Sequence, residues 1–139
     1  MVNLVLGSKG KGKTKFMLDS ANAEIKQSKG LVIYIDKNSD HMFQLDRQIR
    51  LINVKEYPVN SVETLLGFVS GLIAGNGDIV SVYFDSFLVL CEIEKEDAAE
   101  ALRKMSVLSD KLGITFTISV SADEKEMPAW INDIVKVVF

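Results

Sequence analysis

The amino-acid sequence predicts an α/β fold, a three-layer sandwich with a mainly parallel sheet between two layers of helix. Three observations carry this. Short apolar runs alternate with longer amphipathic stretches along the whole chain. Most of the runs are continuous and rich in Val and Ile, the pattern of strands buried on both faces. Strand and helix in alternation imply parallel strands joined by right-handed crossovers. With 139 residues, the chain suits one domain, 1–139, able to bury roughly two-thirds of its unfolded surface.

Taken in order, Val2–Leu6 is the first strand and Thr14–Gln27 the helix that follows it. Leu31–Ile35 is the second strand. Arg50–Val54 is the weakest run, expected to be short or at an edge. Ser61–Ala74 reads as a helix that carries Gly67 and Gly71, with Gly75 trailing it. Four-residue spacing places these glycines on one face, read first as tight packing on the sheet and second as a dimer seam. Ile79–Phe84 is the fourth strand. Glu94–Leu112 is a helix whose Ala98, Ala101, Leu102, Met105, Leu108 and Leu112 make a stripe for packing on a sheet. Thr115–Val120 and Val135–Phe139 complete the strands. Pro58 and Pro128 fall just before or at the start of helix candidates, where proline is tolerated. Trp130 reads as a core or rim residue, His41 as a surface turn residue and Cys91 as a buried small one.

Composition excludes several function classes. Sixteen Lys and Arg against nineteen Asp and Glu give a net charge of −3. Nucleic-acid binding by bulk charge needs a clearly basic surface, so no direct nucleic-acid partner is expected. One cysteine forms no internal disulfide, and with one histidine no zinc site of the usual composition assembles. The longest uncharged stretch, Thr64–Gly77, is shorter than the ~18 residues of a membrane span. Met1–Leu6 lacks a basic leader and is too short an apolar run for a signal peptide. No membrane contact and a cytoplasmic location are expected.

The feature that carries chemistry is Gly7-Ser8-Lys9-Gly10-Lys11-Gly12-Lys13-Thr14, which satisfies G-x-x-x-x-G-K-[ST] between a strand and a helix. Its glycines let the backbone curl so that successive N–H groups point inward at phosphate oxygens. Lys13 is expected to reach the β- and γ-phosphates and Thr14 to hold Mg²⁺ through its hydroxyl. The positive end of the helix dipole adds to the same cavity. Lys9 and Lys11 read either as solvated side chains or as further phosphate contacts. A second requirement is a buried strand ending in an acid on the same sheet edge. Asp85, after Ile79–Phe84, supplies it as the metal-site residue with Thr14. A third polar cluster, Asp36 to His41, follows the second strand. Asp40 there reads as a helix cap or as a functional acid.

These residues resemble the RecA-like group of P-loop ATPases, and also small stand-alone bacterial ATP-binding proteins. The segments that carry the resemblance are Gly7–Thr14, Val32–Asp36, Val82–Ser86 and Thr115–Ser121, spanning residues 2–122. It implies ATP or ADP with Mg²⁺ as ligands. It also implies that Thr115–Val120 flanks the phosphate-loop strand, and that the Asp85 strand is not beside the second strand in simple sequential order. Ser119 or Ser121 then corresponds to the polar residue that senses the γ-phosphate. The chain departs from the family where a water-activating glutamate usually stands. One such position is Asn38, the other Ser86. Asp36 or Asp40 would have to substitute for it. The chain also stops at Phe139, so the family's later adenine-binding and partner-contacting extensions are expected to be missing.

The expected function is binding of ATP or another NTP with Mg²⁺, with slow or partner-dependent hydrolysis of the β–γ phosphoanhydride. A homo-oligomer or a protein partner could supply the absent group. The alternative is a non-catalytic nucleotide-sensing module. A P-loop kinase is disfavoured because only Arg47, Arg50 and Arg103 are present and no arginine-rich lid follows Asp85. A partition-type ATPase would carry lysine where Ser8 stands. A DNA-handling ATPase would present basic loops where Glu92–Asp97 and Ala122–Glu126 are acidic.

Overall fold

A computed structural model describes residues 1–139. The strands are β1 (Val2–Gly7), β2 (Leu31–Asp36), β3 (Arg50–Asn53), β4 (Ile79–Phe84), β5 (Thr115–Ser121) and β6 (Val135–Val138). The helices are α1 (Lys13–Ile25), α2 (Val62–Ala74), α3 (Phe87–Cys91) and α4 (Ala98–Leu112). All six strands form one sheet in the order β3-β2-β4-β5-β1-β6, and every pairing between them is parallel. The expected α/β class and parallel sheet are therefore present, with β3 at one edge. β5 flanks β1 as the resemblance implied. The Asp85 strand, however, does lie beside the second strand: β4 pairs directly with β2, Ile35 opposite Phe84. What is non-sequential is the place of β1, beyond β5.

Strand alternation sorts the side chains into two layers. Ile33, Ile35, Val82, Phe84, Ile118 and Val120 belong to a cluster of 27 buried residues that includes Leu65 and Val69 of α2, Leu90 of α3 and Leu102 and Met105 of α4. Val5, Val32, Tyr34 and Tyr83 face the other way, into a cluster of ten with Met17, Leu18, Ala21 and Ile25 of α1. Helices thus cover both faces of the sheet.

Two further expectations are corrected, and one helix is added. The helix read from Glu94 begins only at Ala98, after a 3₁₀ turn at Lys95–Asp97. Such tightened turns are common at helix starts. α3 was not foreseen, because five residues are too few to show a period. The glycine face of α2 packs on nothing: Gly67 and Gly71 are exposed, and a Cβ at either would meet no atom within 4 Å. Their face points away from the sheet, because Val62, Leu65 and Val69 take the sheet side. Ser61 caps α2, its Oγ accepting from Thr64 N–H at 3.1 Å while Thr64 Oγ1 accepts from Ser61 N–H at 2.9 Å. Trp130 is half-buried with the Arg103 guanidinium 4.5 Å from its ring centre, and Cys91 is buried. No helix is long and apolar enough to cross a membrane.

Candidate functional site

The residues of the glycine-rich loop leave β1 at its carboxyl end and enter α1. Gly10 and Gly12 have φ of 83° and 93°, a region that side chains disfavour. Gly12 is also the residue before the first turn of α1, and no side chain caps that end. None of the backbone N–H groups from Ser8 to Gly12 donates to a protein acceptor. The first turn of α1 adds further N–H groups that no helical carbonyl can reach. Lys13 is buried, and its ammonium folds over the loop, donating to Gly7 O at 2.7 Å and Ser8 O at 3.0 Å. Burial lowers its pKa from the ordinary lysine value, and the charge of Asp85 partly opposes this.

Asp85 follows β4 at the same edge. Its Oδ1 accepts from Thr14 Oγ1 at 3.4 Å and from Ser119 Oγ at 3.0 Å, and its Oδ2 accepts from Tyr34 OH at 2.8 Å. Neighbouring ligands of an octahedral Mg²⁺ with bonds of ~2.1 Å stand about 3 Å apart. Thr14 and Asp85 therefore fit one such ion after a small closure. Asp36, His41 and Asp85 also bring one ligand atom each to within 4.8 Å of one another. Both oxygens of Asp36 are occupied, however: Oδ1 by the N–H of Lys37 at 2.7 Å, Oδ2 facing His41 Nδ1 at 3.3 Å. His41 sits in the turn as expected, but half-buried against this carboxylate rather than on the open surface.

Around these groups lies a cleft of about 580 Å³. Four lysines line it, Lys9, Lys13, Lys15 and Lys37, against two carboxylates, Asp85 and Glu94. Gly10, Gly12, Thr14, Ser119 and Ser121 line it as well, with Leu88, Val89 and Ile93 as an apolar wall. Lys11 is exposed at the loop tip and Ser8 offers its carbonyl to Lys13. Gly7 is buried, and a Cβ there would come within 2.9 Å of the Cβ of Phe139. The loop, Thr14, Asp85 and Ser119 are thus brought together. Asp36 is adjacent but fully buried, and Asp40 is exposed on the turn after β2, outside the cleft lining. Ser119 spends its proton on Asp85 while its Oγ accepts from Ser86 N–H at 2.8 Å.

Sequence reasoning passed over Tyr34 and Lys37. A signal for Tyr34 was present: Tyr34-Ile35-Asp36 and Tyr83-Phe84-Asp85 repeat one pattern at the tips of two strands. In the sheet the two tyrosines are register partners with rings stacked 5.9 Å apart. Burial, and then Asp85, push the Tyr34 hydroxyl well above its ordinary pKa, so it remains a donor. No protein-family model matches the chain, and no curated protein matches it.

Proposed function

We propose that the cleft binds a nucleotide phosphate chain with Mg²⁺, and that the fold is a RecA-like P-loop core. The observation that carries the reading is the run of unpaired N–H groups from Ser8 to Gly12, set among four lysines at a helix start. The neighbour order β2-β4-β5-β1 supports the core. ATP or ADP is favoured over other nucleotides by resemblance. In this reading the loop amides and Lys13 bind the phosphates, and Thr14 and Asp85 hold the metal ion. When bound, the ion neutralises charge on the β- and γ-phosphates. Ser119 and Tyr34 orient Asp85 through its two oxygens.

Turnover by the chain alone is proposed to be slow. Hydrolysis needs a carboxylate or its equivalent to orient water, and positive charge on the transferring group. Asn38 and Ser86 stand where that carboxylate would be, Asp36 is sealed by its own partners, and Asp40 does not line the cleft. Release on the order of 10⁻² per second or less is expected, as for unaided switch-type NTPases. The same observations favour a second reading, a nucleotide-sensing module whose bound state, not its turnover, is the output.

Isothermal titration with ATP and ADP in the presence of Mg²⁺ tests the binding. Lys13→Ala should weaken both nucleotides by about tenfold or more, since it removes a charged donor to the phosphates. A folded wild-type sample that gives no heat with either nucleotide overturns the proposal. Phosphate release well above one per second, abolished by Lys13→Ala, overturns the slow-turnover reading alone.

A further inference from the structure

Lys37 is the first residue after β2, and the tip of that strand is held against the tip of β4. Asp85 N–H donates to Ile35 O at 3.0 Å, and Lys37 N–H is pinned to Asp36 Oδ1. The side chain therefore enters the cleft from the side opposite the glycine-rich loop, with Asp85, Ser86 and Ser119 between it and Lys13. Its ammonium donates to Ser86 Oγ at 3.1 Å. No carboxylate lies within salt-bridge distance of it, and its charge acts on the buried Asp36 without an ion pair. A half-buried ammonium with three donors and one neutral partner is a cation placed to receive an anion.

The direction of the phosphate chain decides which anion. In the nucleotide reading Thr14 and Asp85 would hold the metal ion, so the terminal phosphates would lie at their end of the cleft. Ser86 follows Asp85 directly, so the resting partner of Lys37 stands at that same end. No arginine lines the cleft; of its other lysines, Lys9 and Lys13 belong to the glycine-rich loop side and Lys15 pairs with Asp19, so Lys37 is the cation on the Ser86 side. We infer that Lys37 is the residue that distinguishes triphosphate from diphosphate. It would leave Ser86 to meet the terminal phosphoryl group, while Lys13 and the loop hold the phosphates common to both nucleotides. This inference rests on the nucleotide reading above.

The test is titration of the full chain with Mg²⁺ and either ADP or a non-hydrolysable triphosphate analogue, for wild type, Lys37→Met, Lys37→Gln and Lys37→Arg. Thermal melting identifies the folded variants. Wild type should prefer the triphosphate. Lys37→Met and Lys37→Gln should lose roughly tenfold to a hundredfold in triphosphate affinity, the loss of one charged hydrogen bond, with ADP affinity within about twofold of wild type. Lys37→Arg, which keeps the charge, should keep most of the preference. Equal weakening of both nucleotides, or of neither, overturns the inference, as does a wild type with no preference. Wild-type protein that binds neither nucleotide overturns the phosphate reading and this inference together.

Discussion

The two faces of the sheet are built from different chemistry. On one, α2, α3 and α4 cover an apolar cluster in which Phe84 and Phe116 meet edge to face, ring centres 5.1 Å apart. On the other, α1 covers a smaller cluster that includes two stacked tyrosines, and the strands turn Asp36, Ser81, Asp85, Thr117 and Ser119 toward it, all buried. Glu24 of α1 accepts from Ser81 Oγ at 3.0 Å and Tyr83 OH at 2.7 Å, and Tyr34 reaches Asp85. No buried side-chain polar atom is left without a partner, as buried polar groups require. The first face is almost wholly apolar. The second holds the polar groups of the cleft in place.

Substitutions should separate these roles. The largest loss of stability is expected on the apolar face: Phe116→Ala should cost about 3–5 kcal/mol in urea unfolding, with nucleotide affinity unchanged wherever the protein stays folded. Tyr34→Phe on the other face should cost only about 1 kcal/mol, yet weaken Mg²⁺-dependent nucleotide binding severalfold in the same titration. If Tyr34→Phe leaves binding intact, the tyrosine pair is packing alone and the contrast between faces fails.

A smaller effect concerns pH. Burial, and then the neighbouring Asp85, hold the Asp36 carboxyl above its ordinary value, against the pull of the Lys37 N–H and His41. A carboxyl raised on folding contributes stability that is complete below its unfolded value, about 3.9. That contribution is lost as pH rises through the folded value. Asp36→Asn should therefore flatten the stability profile between mildly acidic and neutral pH and raise stability at neutral pH, measured by urea midpoints at several pH values. At Cys91, under the apolar face, no native-state signal is expected. Burial pushes this thiol up to about 12, so a thiol reagent at pH 8 should react only as the protein unfolds. Rapid modification of native protein would show that this face opens locally.

The alternating apolar runs and stripes of the sequence identified all six strands, and the glycine-rich loop appeared where the pattern placed it, between β1 and α1. These features are local. An apolar period, a glycine that takes positive φ or an Asp closing a strand is legible from a few neighbouring residues. What spans the chain was not legible. Tyr34 and Asp85 are 51 positions apart, and only the pairing of β2 with β4 brings them together. The same pairing puts Lys37 beside Ser86, and seals Asp36 next to a second carboxylate where the sequence offered it as a free acid. The glycines of α2 follow the same logic: their spacing set them on one face, and the packing of Val62, Leu65 and Val69 on the sheet decided that this face turns away from it. Local propensity determines which elements form, whereas strand order and burial, which depend on the whole chain, determine which side chains meet.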